Sequence, residues 1–259
     1  MPKLRVINRS LSIVFLITML TCGLVSAQGM DYGEAPDLAE LVNAGKLPPV
    51  AERLPENPMV LEPIEEIGQY GGTWRTALLG GHVHDMHRYH GYENLVRWSP
   101  DWNTVIPNIA EAYEVNDDST EFTFHLRKGL KWSDGHPFTA DDIMFWYEDV
   151  FLNGELTPVQ GGLYVHGGRT VDVEKVDDYT IKFAFDAPNG LFLMKLADVN
   201  GGAPVGFPKH YLTQFHKDYN PEAEELAKKE GFANWVQLFE GKGGIYDKDI
   251  FCIHGLLNL

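Results

Sequence analysis

The spacing of apolar side chains changes along this chain, and each change marks an element. In "TEFTFHLRKGLKW", residues 120–132, Phe122, Phe124 and Leu126 alternate with Thr123, His125 and Arg127. A period of two with one apolar face predicts a half-buried strand. "AEAYEV" (110–115), before the acidic turn "NDDS", supplies its hairpin partner. His125 falls on the polar face and is expected at the surface, and Arg127 shares that face. "VDVEKVDDYTIKFAFDAP", residues 171–188, repeats the arrangement, with Asp177-Asp178 as the turn and Ile181, Phe183 and Phe185 alternating after it.

Between the hairpins the period lengthens. In "WSDGHPFTADDIMFWYEDVF" (132–151), Asp134-Gly135 is a turn and Pro137 keeps its predecessor extended. Thr139 is a suitable N-cap, Asp142 stands at the position that completes a capping box, and Asp141 and Asp142 favour the first turn electrostatically. Ile143, Trp146, Tyr147 and Val150 then follow the i, i+3, i+4, i+7 spacing of a helix with one buried stripe.

The flanks are less regular. Residues 28–63 read as an arm: "DLAELVNAGK" is a short amphipathic helix stopped at Gly45, and the proline-rich "LPPVAERLPENPMVLEP" is expected to run extended over a surface. "GGTWRTALLGG" (71–81) predicts a strand between glycine pairs. After the second hairpin, "NGLFLMKLADV" predicts a helix leading to "GFPKHYLTQF", and "NPEAEELAKKEGFANWVQLFEGKGG" predicts mostly helix, with Glu224–Lys228 and Glu225–Lys229 as i,i+4 pairs. The mixed order predicts an α/β class fold with α+β elements and antiparallel hairpins.

Charge and the N-terminus narrow the function classes. "MPKLRVINRS" is basic, "LSIVFLITMLTCGLV" is apolar, and Val25-Ser26-Ala27 fits a cleavage site, so residues 1–27 read as a signal peptide. Cys22 raises a lipid anchor as an alternative, but Met19-Leu20-Thr21 is a poor lipobox and cleavage is the favoured reading. The chain carries a formal charge of −16, and the leader holds Lys3, Arg5 and Arg9 but no acid, so the remainder is more acidic still. Such a surface argues against nucleic acid or an anionic membrane as partner. Of two cysteines only Cys252 survives cleavage, so an apolar core has to hold the fold without an intrachain disulfide.

The ordered motifs of "IPNIAEAYEVNDDSTEFTFHLRKGLKWSDGHPFTADDIMFWYEDV" (106–150), with "VDDYTIKFAFDAPNGLFL" (176–193) and "FPKHYL" (207–212), resemble the family 5 extracytoplasmic solute-binding proteins. These are the peptide-, nickel- and oligosaccharide-binding receptors of ABC importers. The resemblance implies a periplasmic-binding-protein-like lobe with an extra small lobe. Residues 28–93 would be the arm and the first part of main lobe I, 94–187 the extra small lobe, and 188–259 the return to main lobe I. Family members are much longer, so the second main lobe is missing and the chain is expected to be a fragment. Implied with the family are a periplasmic location, a peptide or oligosaccharide ligand, permease subunits in the inner membrane as partners, a monomeric state, and no cofactor.

Candidate chemistry concentrates in "GGHVHDMHRYHGYENL" (80–95), which holds four of the ten histidines. By resemblance this loop faces the ligand cleft. Gly80 and Gly81 allow close backbone approach, His82, His84 and Asp85 offer hydrogen bonds, and His87 and Tyr89 offer flat faces. A solvated loop is the plainer reading, and a metal site built from His82, His84, His87 and His90 is the alternative function. Catalysis has little support: no G-x-S-x-G, H-E-x-x-H or P-loop occurs, and Asp117-Asp118, Asp141-Asp142 and Asp177-Asp178 lie in turns or at a helix start, where acids are structurally favoured. The histidine spacing matches no firm zinc signature. Titration with Zn²⁺ or Ni²⁺ is therefore expected to show weak binding only; submicromolar affinity lost in a His82→Ala/His84→Ala variant would favour the metal reading instead.

Overall fold

Phe122 faces Phe183 and Phe124 faces Ile181 across two neighbouring antiparallel strands, and these pairs set the register of the main sheet. In the computed structural model, which describes residues 32–73, 75 and 93–243, that sheet has four strands in the order β3-β4-β8-β7. They are β3 (Ala110–Val115), β4 (Glu121–Leu126), β7 (Asp172–Asp177) and β8 (Thr180–Ala184). Two smaller antiparallel pairs, β1 (Val96–Trp98) with β2 (Val105–Pro107) and β5 (Val165–His166) with β6 (Arg169–Thr170), complete the described strands. The period-two pattern of each hairpin places Phe122, Phe124, Leu126, Ile181 and Phe183 on one buried face. Phe124 meets Phe183 edge-on with centroids 5.7 Å apart, and Phe122 lies 4.8 Å from Phe192 of α4 (Phe192–Leu196). The other face is polar, with Lys182 paired to Glu174 at 2.7 Å and His125, half-exposed, 3.3 Å from Glu114.

Helix α3 (Ala140–Phe145) packs against β7 and β8. The capping box is formed: the Thr139 amide donates to Asp142 Oδ2 at 3.0 Å, and the Thr139 hydroxyl accepts from the Asp141 amide at 3.3 Å. The expected stripe of Ile143, Trp146, Tyr147 and Val150 is buried, but the helix does not keep one geometry. Residues Trp146–Phe151 continue as a π-helical turn, in which the Leu152 amide donates to the Tyr147 carbonyl at 2.9 Å. Phe145 and Phe151 are buried as well, so the apolar surface is wider than the stripe of a regular helix. The wider turn lets Trp146 and Phe151 both reach Tyr164, at 4.7 and 5.6 Å.

Elsewhere tertiary contacts overrule the local reading. Helix α1 (Pro36–Asn43) ends near Gly45, whose φ of 66° suits glycine. The proline-rich arm is not extended throughout: Val50–Arg53 form a helical turn, α2, with Arg53 bonded to Glu34 at 2.5 Å. Arg127 is buried rather than exposed, because Nε donates to the Asn108 carbonyl and Nη1 to the Asn57 carbonyl, both at 2.6 Å. The arm thus rests on the end of β4, and the Glu56 amide donates to the Lys128 carbonyl at 2.9 Å. The described residues 71–73 and 75 lie in no strand, and the rest of the strand expected over 71–81 lies outside the described residues.

After α5 (Lys209–Leu212) come α6 (Ala223–Glu230) and α7 (Trp235–Gly243), separated at Gly231 with φ 86°. Neither expected i,i+4 pair is made. Lys228 bonds Glu225 at 3.0 Å, while Glu224 accepts from the Trp235 amide at 2.9 Å, where an orphan donor at the start of α7 outcompetes an exposed ammonium.

The two faces of the sheet should respond differently to substitution. Phe183→Ala, in the aromatic cluster, is expected to cost about 3–5 kcal/mol. Glu174→Ala, which removes only an exposed ion pair, is expected to cost about 0–1 kcal/mol. Urea unfolding of both variants checks the contrast.

Candidate functional site

Gly80, Gly81, His82, His84, Asp85, His87, Tyr89 and His90 lie outside the described residues. What is described is the segment into which that loop runs, Glu93 and Asn94 immediately before β1. Asn94 is fully buried. Its Nδ2 donates to the carbonyls of Leu196 (2.9 Å) and Asp198 (2.7 Å) at the C-terminal end of α4. Its own carbonyl accepts from the Ile109 amide at 3.2 Å and from Asn108 Nδ2 at 2.9 Å. One side chain therefore serves the Leu196 carbonyl at the helix end and the Asp198 carbonyl beyond it, which also accepts from the Gly201 amide at 2.8 Å, and one peptide group ties Asn94 to the segment that leads into β3.

Asn108, also buried, extends the cluster by donating to Glu93 Oε2 at 2.7 Å. Burial pushes the Glu93 carboxyl above its usual range; the bond from Asn108 and the charge of Arg97 oppose this without cancelling it. The chain passes Asn94 on two glycines. A Cβ at Gly201 would stand 1.9 Å from the Leu196 carbonyl oxygen, and one at Gly202 would stand 2.9 Å from Asn94 Oδ1. Neither obstacle can swing away, since the first is backbone and the second is an amide held by two bonds. The Gly201-Gly202 pair was the available sequence signal for this close approach, and nothing in the local pattern connects it to Asn94.

A second polar cluster joins "SDGHPFTADD" to "FPKHYL". His210 Nε2 lies 2.7 Å from Asp134 Oδ2, and the His136 and His210 rings stack at 3.9 Å with planes 7° apart. Asp142 is buried and accepts from the Lys209 amide at 3.0 Å in addition to capping α3. Burial pushes Asp142 up, against the bonds from the Thr139 and Lys209 amides. Burial also acts to raise Asp134, but bonds from the His136 amide and the His210 ring, with the two imidazoles nearby, hold it below the usual carboxylate range. An open groove of about 830 Å³ lies alongside, lined by His136, Thr139, Asp141, His210, Gln214 and Tyr219 among others. Several of its polar groups are already engaged: Tyr219 donates to Asp149 at 2.7 Å and Gln214 to the Tyr211 carbonyl at 3.1 Å. Among the described residues no group of three or more His, Cys, Asp or Glu side chains is placed to hold a metal ion, and no helix is long and apolar enough to cross a membrane.

Comparison with known proteins bears on what these clusters support. Residues 104–234 match the model of the bacterial extracellular solute-binding proteins, family 5 Middle. A periplasmic alpha-galactoside-binding protein of Rhizobium meliloti is 33% identical in an alignment of 214 positions that covers 73% of this chain and 30% of that protein. A dipeptide-binding protein of Escherichia coli is 36% identical in an alignment of 119 positions that covers 41% of this chain and 22% of that protein. Among solved structures, an oligopeptide-binding protein OppA superimposes with a TM-score of 0.72 at 44% identity, over 83% of this chain and 33% of the other. The periplasmic binding protein MelB of Agrobacterium fabrum, in complex with stachyose, gives 0.52 at 29% identity, over 78% of this chain and 33% of the other. The chain thus spans about a third or less of the length of these relatives.

The close passage at Gly202 is testable. Gly202→Ala is expected to displace Asn94 from its two carbonyls and cost about 1–3 kcal/mol, the range for a buried polar group deprived of its partners. Gly206→Ala, where the nearest atom to a new Cβ is 3.6 Å away, is expected to be nearly neutral. Thermal unfolding of both variants measures the difference.

Proposed function

The chain belongs to the family 5 bacterial extracellular solute-binding proteins, and from that premise we propose that it serves as the solute-binding component of an ABC importer in the periplasm. In this reading it binds a peptide or an oligosaccharide and presents it to permease subunits, without chemistry of its own. The observation that carries the reading is what the motif residues do. Thr139 and Asp142 cap α3, Asp134 is held by His210, and Trp132 and Phe138 are buried core. A signature made of caps, clasps and core aromatics preserves a scaffold, as a receptor requires, and leaves no nucleophile beside a base.

The ligand class follows the relatives, whose names specify alpha-galactosides, dipeptides, oligopeptides and stachyose. We assign residues 28–93 to the arm and the start of main lobe I, 94–187 to the extra small lobe, and 188–259 to the return to main lobe I. The ligand contacts fall on Gly80, Gly81, His82, His84, Asp85, His87 and Tyr89. The anchoring of Glu93 and Asn94 supports that placement, since a binding loop needs a rigid exit.

A single lobe buries only part of a ligand, whereas pockets enclose roughly 70–90% of it. Binding by this chain alone is expected to be weak, and saturation-transfer NMR at high ligand concentration suits it. Di- to pentapeptides and galactosides are the two panels. One panel is expected to give transfer that disappears in His82→Ala/His84→Ala. Silence of both panels, or transfer indifferent to those substitutions, counts against the loop, and the appearance of hydrolysed products counts against the receptor reading itself.

A further inference from the structure

We propose that Trp102, stacked on Trp98, is a platform for a sugar ring, a contact for an oligosaccharide additional to those assigned to the loop at 80–95. The proposal rests on the oligosaccharide side of the reading above. It starts from one side chain that is unusual in two ways. Trp102, in the loop between β1 and β2, is 69% exposed. Its φ is 59°, in the left-handed region that glycine, asparagine and aspartate enter readily and a bulky residue does not.

The loop is built to hold that conformation. The Trp102 amide donates to the Ser99 carbonyl and the Ser99 amide to the Thr104 carbonyl, both at 2.8 Å. The Ser99 hydroxyl donates to Asp101 Oδ1 at 2.6 Å and accepts from the Thr104 amide at 3.1 Å. Asn103 Nδ2 donates to Asp101 Oδ2 at 2.8 Å. None of these bonds uses the indole. A turn chosen for its backbone alone would carry asparagine or glycine at position 102, so what tryptophan adds there is its ring. The ring is also fixed in place. It stacks on Trp98 with centroids 6.3 Å apart and planes 25° apart, and Trp98 packs partly buried against the core.

The surroundings select the partner. Pro100, Asp101, Asn103 and Thr104, the chain neighbours of the indole, are exposed and mostly polar. One tryptophan offers at most about 250 Å², far short of the roughly 1,200–2,000 Å² of a stable protein interface. The formal charge of −16 and the Asp101 carboxylate disfavour an anion. Bonds from Ser99 and Asn103 hold Asp101 below the usual carboxylate range, and they engage both of its oxygens within the loop, which leaves it a poor counter-ion for a cation. A neutral ligand with one apolar face and a polar rim fits best, and a pyranose has that form. Its C–H bonds, slightly positive, meet the negative face of the indole. Its hydroxyls suit the carboxylate and carboxamide that flank Trp102 in the chain.

The test is saturation-transfer NMR of the whole chain with raffinose, an α-galactoside, at high concentration. Wild type is compared with Trp102→Asn and with His82→Ala/His84→Ala. Asparagine enters the left-handed region without the entropy cost of glycine, so Trp102→Asn is expected to melt at the wild-type temperature or above. It is expected to lose most of the transfer to the galactosyl ring protons that survives in His82→Ala/His84→Ala. In wild type, raffinose is expected to shift the Trp102 indole N–H resonance, identified by its loss in Trp102→Phe, more than those of the other tryptophans. Transfer that is unchanged in Trp102→Asn overturns the platform; if the same transfer vanishes in His82→Ala/His84→Ala, the loop reading stands without it. A response of Trp102 to arginine methyl ester but not to raffinose makes the partner a cation and overturns the sugar. Should Trp102→Asn fail to fold, a Trp102 resonance that raffinose leaves unmoved overturns the proposal by itself.

Discussion

Asp142 is the carboxylate on which the rest of the described fold depends. One oxygen accepts from the Thr139 amide and starts α3; the other accepts from the Lys209 amide, 67 residues on. The two bonds hold the helix that covers the sheet against the segment that follows it. The carboxylate is buried, and burial works against its charge. Backbone amides at a helix start are the donors that make such burial tolerable, since they supply both hydrogen bonds and the positive end of the helix dipole. The stacked imidazoles of His136 and His210, closed by Asp134, reinforce the same junction from outside. Two motifs far apart in sequence are thereby parts of one contact.

Asn94 plays the corresponding part at the C-terminal end of α4. Where Asp142 gathers donors, Asn94 supplies them, to the Leu196 carbonyl at the helix end and to the Asp198 carbonyl just beyond it, which also accepts from the Gly201 amide. Both solutions use a short polar side chain buried beside backbone groups that cannot be satisfied locally. The glycines at 201 and 202 let the backbone come close enough for the Asn94 contact to form. The chain shares the scaffold of the family 5 solute-binding proteins, and in this chain buried polar joints hold it.

The hairpins, their turns and the cap of α3 were legible because each is decided within a few residues. Alternation at Phe122, Phe124 and Leu126, acids at a turn, and Thr139 three residues before Asp142 are local statements about backbone geometry. Arg127 shows where such reading stops. Its alternation places it with Thr123 and His125, yet two carbonyls from distant segments, Asn57 and Asn108, bury it. The same limit applies to Glu224, which serves the Trp235 amide, and to the π-helical turn at Trp146–Phe151, set by aromatic neighbours that no spacing rule contains.

What the sequence by itself determined, then, is the two hairpins, the buried face of each, the start of α3 and the family resemblance, since period and cap chemistry act over one or two turns of chain. The tertiary structure alone decided the joints. Asn94 meeting Leu196, Asn108 meeting Glu93 and Asp142 meeting Lys209 are pairings of polar groups that burial obliges to find partners. Which partner each finds depends on how the packed elements bring distant backbone into reach, and no local pattern encodes that distance.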